Sequence, residues 1–181
     1  MEKHCIFVFS EHLIFFFVGN DCMNRTLLKT QLAFDNCKRH LDTTGAWGSE
    51  VESYLTQHVL VIMCADIQQE MYKLVEKRVE HVNDSALKSF SVASCKRVLR
   101  SVGKKEIAGF VGYFGAGAKN YLNAAIDEEL VTTYNNAVLN RHEVTHSTGS
   151  NITFRELESA IDAARTLIRV VFEAISQENG S

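Results

Sequence analysis

No proline occurs anywhere in the 181 residues of this chain. Proline presets tight turns and blunts edge strands, and inside a helix it removes a hydrogen bond and clashes with the preceding turn. A proline-free chain of this length argues against a turn-rich β fold and suits long uninterrupted helices. Cysteine pairs at metal or redox spacing are missing too: Cys5, Cys22, Cys37, Cys64 and Cys95 are odd in number and no two are CxxC. That pattern speaks for reduced thiols in a reducing compartment, not for a disulfide framework or a zinc knuckle. Cys64 lies in an apolar run and reads as a small core residue. A large excess of one charge is also absent. A net charge of −3 is not that of a protein that coats nucleic acid, although it leaves room for an enzyme that touches RNA at one local patch. There is no internal repeat, low-complexity stretch or linker, and the length fits one domain.

The N-terminal segment Ile6–Gly19 is strongly apolar but is interrupted by Ser10, Glu11 and His12. It is too short to cross a bilayer as a helix. Lys3 is the one firm positive charge ahead of it, and no clean small-residue cleavage site follows. Residues 1–22 are therefore expected to be an apolar extension of uncertain role, with a packed element or a targeting segment as alternatives. Residues 23–178 are expected to be the folded domain, and either Met1 or Met23 can serve as the start. No membrane association is expected, and the chain reads as cytoplasmic.

Hydrophobic spacing predicts an all-α bundle of four to six helices. Asn24 to about Asp42 carries Leu27, Leu28, Gln31, Leu32, Phe34 and Leu41 largely on one side, and Gly45 suits a helix stop. Trp47–Val82 reads as one long helix with a stripe from Val51 through Leu55, Val59, Ile62, Tyr72, Val75 and Val79. Its apolar stretch Val59–Ala65 marks it as the central helix. Asn83-Asp84-Ser85 offers N-cap residues. Ala86–Val102 and Lys104–Phe114 follow. Gly112, Gly115 and Gly117 mark a bend, Ala118–Ala125 a further turn of helix, and Asp127 starts a helix to about Ser147, with Leu130, Tyr134, Ala137 and Val138 inward. In the last helix Thr153 and Glu156 form a capping box, and Phe154, Leu157, Ile161, Ala164, Ile168, Val171 and Ile175 alternate steps of three and four.

Chemistry concentrates in Arg141-His142-Glu143-Val144-Thr145-His146, with four ionisable groups in six residues at a predicted helix end. Three readings compete. A solvated helix end accounts for cations there through the helix dipole. A zinc site is spelled by His142-Glu143-Val144-Thr145-His146, which is HExxH. Gly149 extends that pattern, but Ile152 stands where the longer form needs a third ligand, and no upstream edge strand is evident to hold a peptide. The third reading is RNA cleavage by attack of the 2′-OH on the adjacent phosphate. That step needs an acid/base that titrates near neutrality, as histidine does, and a fixed cation, as an arginine fork supplies. Arg141 and His146 at i,i+5 lie about 140° apart on an ideal helix. One copy thus makes a poor closed site, whereas two copies across a dimer axis, or a loosened last turn, converge.

Arg141 and His146 match the R-x4–6-H motif of HEPN domains. The setting matches as well: Gly112-Tyr113-Phe114-Gly115 upstream, a helix carrying the motif, a glycine-containing loop, and a final amphipathic helix. From about Val59 to Ile175 the chain resembles the RiboL-PSP-HEPN group. The resemblance implies a dimerising helical bundle and an endoribonuclease that needs no metal or other cofactor. It also implies a place in toxin–antitoxin or anti-phage systems, with a cognate antitoxin or nucleotidyltransferase as partner. Within the motif His146 is the implied catalytic histidine and Arg141 the implied phosphate-binding residue. His142 stands at a position that is frequently asparagine, as a third candidate. Some HEPN proteins are binding modules without activity, so a non-catalytic interaction domain and a zinc hydrolase stay open as alternatives.

Between Ser85 and Lys105 there is no acid but six cations: Lys88, Lys96, Arg97, Arg100, Lys104 and Lys105. Such a bias in an acidic chain can guide a polyanion, and Lys96, Arg97, Arg100, Lys104 and Lys105 are the candidate RNA contacts. A solvated helix face explains the same run. Asp66 and Glu70, at i,i+4 on the long helix, are positioned as candidate inner contacts of Arg141.

Overall fold

The computed structural model describes residues 26–144 and 152–176, with side chains at 140–144 outside that description. Among the described residues there are seven helices and no strand, so the chain is all-α. They are α1 (Leu28–Thr44), α2 (Glu50–Arg78), α3 (Ser85–Val98), α4 (Lys104–Gly112), α5 (Ala116–Ala125), α6 (Glu128–Val144) and α7 (Phe154–Ser176). The count exceeds the four to six expected because α5 is a full helix of 10 residues where the glycine pattern predicts only a further turn.

Most of the helix ends are set by local chemistry. Gly45 closes α1 at φ 66°, where it donates to the Leu41 carbonyl and where a side chain would be strained. Ser49 caps α2 by accepting from Val51 N–H at 3.2 Å. Asp84 caps α3 through Ala86 and Leu87 N–H at 2.9 and 3.0 Å. Asp127 does the same for α6 through Leu130 N–H at 2.7 Å. The capping box of α7 is present: Thr153 N–H donates to Glu156 at 2.7 Å, and Glu156 N–H reaches back to the Thr153 hydroxyl at 3.4 Å.

Three expectations about faces and ends need correction. In α1 the inward row is Leu27, Thr30, Phe34, Cys37 and Leu41, whereas Leu28 and Leu32 are more than half exposed. That row keeps strict three–four spacing, but a threonine and a cysteine in it are easily passed over when apolar residues alone are followed. The long helix α2 is central as expected, packing on α1, α3, α6 and α7, but its apolar stretch is not buried all round. Twelve of the 23 residues of α7 are buried, against nine of 29 in α2, where Val61 is half exposed despite its apolar surroundings. The third helix ends at Val98, not Val102, because the Leu99 carbonyl turns out of the helix to accept Gln68 Nε2 at 2.8 Å and the Tyr72 hydroxyl at 3.2 Å.

The core is built on α7. Its expected seam residues Phe154, Leu157, Ile161, Ala164, Ile168, Val171 and Ile175 are all buried, and α2, α5 and α6 pack on it. At its start Phe154 stacks on Phe34 at 4.9 Å and takes the edge of Trp47 at 5.8 Å. Aromatic pairs in these geometries add roughly 0.5–1.5 kcal/mol beyond burial. The helix α3 stands apart from this core. It packs on α2, and Cys95 is its one buried residue.

Candidate functional site

The helix α6 presents the motif. Its inward face runs through the partly buried Leu130 and Val131 to the buried Tyr134, Ala137 and Val138. Arg141 and His142 follow in its last turn, within the helical backbone. At an ideal 100° per residue Arg141 stands within about 20° of Tyr134 on the helical wheel. His146 lies outside the described residues, as do the side chains of Arg141, His142 and Glu143.

The geometry defines the mounting of the motif. The Tyr134 hydroxyl, fully buried, donates to the Val102 carbonyl. Burial in this apolar setting pushes the phenol far above its ordinary value. One residue on, Asn135 Oδ1 accepts from the Lys104 N–H at 3.2 Å. These two bonds clamp the middle of α6 to the segment that starts α4. On the other side of the motif, the start of α7 is held by Glu52. Its carboxylate accepts from Phe154 N–H at 3.4 Å and from Gly48 N–H at 2.6 Å. Glu156 completes that anchor, and its bonds from Thr153 backbone and side chain hold its carboxyl below the usual carboxylate range. In sequence the motif thus falls between the clamped middle of α6 and the anchored start of α7.

Asp66 is buried, and one of its carboxylate oxygens accepts both the Thr30 N–H at 3.1 Å and the Thr30 hydroxyl at 3.0 Å. Glu70 pairs with Lys73 at 2.7 Å. Both acids thus have partners on α1 or α2, which the sequence alone does not reveal.

The cations of residues 85–105 are spread along α3 and the start of α4. Lys88 donates to the Glu80 carbonyl at 2.6 Å. Lys96 places its ammonium 5.8 Å from the Tyr72 ring centroid, and Arg100 Nε bonds the Arg97 carbonyl at 3.1 Å. Lys104 reaches Asn123 Oδ1 at 2.7 Å. Among the described residues none of the six makes an ion pair; the three pairs there are Lys73–Glu70, Arg165–Asp162 and Arg169–Glu173. Of the candidate RNA contacts, Lys104 is joined directly to the motif-bearing helix through its backbone. The arrangement does not by itself gather Lys96, Arg97 and Arg100 at the end of α6. A shallow groove of about 480 Å³ runs between α2 and α3, floored by Val79, Val92 and Ala93, with Glu76, Lys88 and Lys96 at its edges.

Among the described residues no cluster of three or more His, Cys, Asp or Glu is placed to hold a metal ion; the side chains of His142, Glu143 and His146 are not among those described. Cys37, Cys64 and Cys95 are buried cysteines outside any disulfide. Burial pushes the Cys95 thiol up to about 11, so it is not a nucleophile at neutral pH. No described helix is long and apolar enough to cross a membrane.

The chain matches no model of a known protein family, no curated protein and no solved structure.

Proposed function

We propose that this chain is an endoribonuclease of the HEPN type that cleaves RNA without a metal or other cofactor. The observation that carries the reading is that Arg141 falls in the last turn of α6, seven residues after the clamped Tyr134. It stands in an all-helical chain whose final helix is capped and anchored immediately after the motif. An arginine is always charged and grips two phosphate oxygens at once. A helix clamped at Tyr134 and Asn135 gives that grip a fixed origin, which is how a scaffold converts charge into rate.

In this reaction the RNA 2′-oxygen attacks the neighbouring phosphorus while its proton passes to a base. The bond from phosphorus to the 5′-oxygen breaks, and an acid returns a proton to that oxygen. The products are a 2′,3′-cyclic phosphate and a 5′-OH. His146 is the acid/base, Arg141 holds the phosphoryl oxygens, and His142 orients the pair. Two histidines serve such a reaction better than one, and a homodimer with two motifs at one cleft supplies them. Lys96, Arg97, Arg100, Lys104 and Lys105 guide the RNA. A cytoplasmic toxin, held in check by a cognate antitoxin or nucleotidyltransferase, is the setting that the HEPN resemblance implies.

The test is cleavage of single-stranded RNA in EDTA by wild type and His146→Ala, with product ends identified by mass. Cleavage giving a cyclic phosphate, lost in the variant, is expected. Equal cleavage by His146→Ala overturns the assignment. A folded protein without cleavage points to a binding module, and activity that EDTA abolishes and zinc restores points to the HEVTH segment as a hydrolase site.

A further inference from the structure

One side of α3 carries large apolar residues that stay exposed among the described residues. Leu87 is 49% exposed, Phe90 68% and Val98 46%. The three fall within about 80° of arc and span about 16 Å of helix. Ser94, a small and half-buried residue, stands on the same arc between Phe90 and Val98 and leaves room there for a partner's side chain. A neighbouring face of α3, about 100° from the middle of the row on the helical wheel, rests on α2 through Cys95, and the buried Leu99 follows the end of the helix. The exposed row is therefore not a packing seam of the bundle itself. Single exposed apolar residues need no explanation, but three large ones on one arc of one helix do.

Charge beside the row narrows the occupant. Arg97 lies about 20° beyond its edge on the helical wheel, Arg100 follows two residues after the helix end, both are exposed, and Lys104 and Lys105 open the next helix. No acid occurs from Ser85 to Lys105, and none of these cations is neutralised by an ion pair among the described residues. A helix that sets leucine-type anchors between the large apolar residues, with acids along its flank, satisfies both features at once. RNA would use the cations and stack on Phe90, but it leaves Leu87 and Val98 without a partner. A lipid surface calls for a longer unbroken apolar face, and Ser91 and Ser94 interrupt this one.

We propose that this exposed face of α3 is a docking surface for an acidic amphipathic helix of a partner protein, with Leu87, Phe90 and Val98 as the apolar contacts and Arg97 and Arg100 as the charge contacts. This surface shares Arg97 and Arg100 with the proposed RNA path but not the chemistry assigned to Arg141 and His146, so its failure leaves the cleavage assignment untouched and is distinguished from it by the RNase assay of His146→Ala.

The experiment titrates the full chain with a labelled synthetic helix of about 18 residues, enough to cover the row. One version carries leucines at i, i+3, i+4 and i+7 with glutamates elsewhere; its control has lysines in place of the glutamates. Oligouridine and phosphatidylserine vesicles are further probes. Saturable binding of the acidic helix is expected, weakening as salt rises from about 0.15 to about 1 M, with backbone NMR shifts concentrated in residues 85–98. The double variant Leu87→Glu/Phe90→Glu is expected to bind at least about tenfold more weakly, the scale for losing an aromatic anchor, with unchanged helical circular dichroism. Arg97→Glu/Arg100→Glu leaves the row intact and is expected to lose the preference for the acidic helix. The proposal is overturned by no binding, by equal binding of the lysine control, by tighter binding of oligouridine or vesicles through the same face, or by NMR shifts confined to other helices.

Discussion

Asp66 caps a helix to which it does not belong. Its carboxylate accepts the Thr30 backbone N–H at 3.1 Å and the Thr30 hydroxyl at 3.0 Å. Thr30 sits in the first turn of α1, whose own N-cap, Leu27, is a left-handed residue with no side-chain bond to offer. The first N–H groups of a helix have no partner within it, and a negative charge there also suits the helix dipole. One side chain of α2 thereby completes α1 and fixes the angle between the two.

Removing that cap is expected to destabilise the whole bundle. Asp66→Ala leaves a buried N–H and hydroxyl without their acceptor, at a cost of about 1–3 kcal/mol. Thr30→Val should cost less, because Asp66 keeps the backbone bond. In a double-mutant cycle read by urea unfolding the two should couple by about 0.5–3 kcal/mol; additive effects would show that the bonds contribute nothing together.

Tyr134 predicts an alkaline limit to stability. Its phenol is raised above the ordinary value of 10 by burial. The full contribution is present below pH 10, where folded and unfolded chains both hold the proton. It is lost as pH rises beyond that, because the unfolded chain ionises while the folded one resists. Each pH unit there should remove up to about 1.4 kcal/mol for this one proton. Tyr134→Phe should cost about 1–3 kcal/mol at neutral pH, by orphaning the Val102 carbonyl, and should flatten the decline between about pH 10 and about pH 11.5. Unfolding midpoints measured across that range decide it.

The capping box of α7 behaves in the opposite sense. The carboxyl of Glu156 is lowered by its Thr153 bonds, so its contribution is present above the ordinary value of 4.5 and is lost as pH falls through the lower folded value. Glu156→Gln should make stability less sensitive to acid in that window. Thr153→Ala should cost about 0.5–2 kcal/mol by thermal melting at neutral pH.

At the motif, charge alone is expected to be insufficient. Arg141→Lys keeps the positive charge but not the two-pronged contact with phosphate, and RNA cleavage by it should fall by roughly 10²-fold or more. His142→Ala should be the milder change. A larger loss for His142→Ala than for Arg141→Lys, in EDTA-treated protein, would reverse the assigned roles.

What could be read from the sequence divides along the range of the interactions. The cap at Asp84, the box at Thr153–Glu156, the stop at Gly45 and the seam of α7 are governed by residues within five positions of one another. All of them appear where expected. The partners that fix the helices against each other are 31 to 102 residues apart: Lys104 to Asn135, Tyr134 to Val102, Thr30 to Asp66, Phe154 to Glu52. No local pattern carries such pairs. The inward row of α1 escapes a hydrophobic pattern because its members include Thr30 and Cys37, whose place is decided by Asp66 and by the core. The candidate site is legible as a motif and as a position on a helix. Its mounting is not: periodicity places Tyr134 inward but does not reveal its bond to Val102, and nothing marks out Asn135 or Glu52 locally.

The isolation of α3 has a thermodynamic counterpart. A helix that buries only Cys95 and is supported by α2 can open while the core around α7 stays folded. Its opening free energy is then a fraction of the global value. Amide hydrogens of residues 89–98 should exchange at rates that barely respond to substitutions in α7, whereas those of α7 follow the stability of the whole bundle. Exchange of that kind would divide the bundle into two cooperative units, the weaker being the helix with the exposed apolar row.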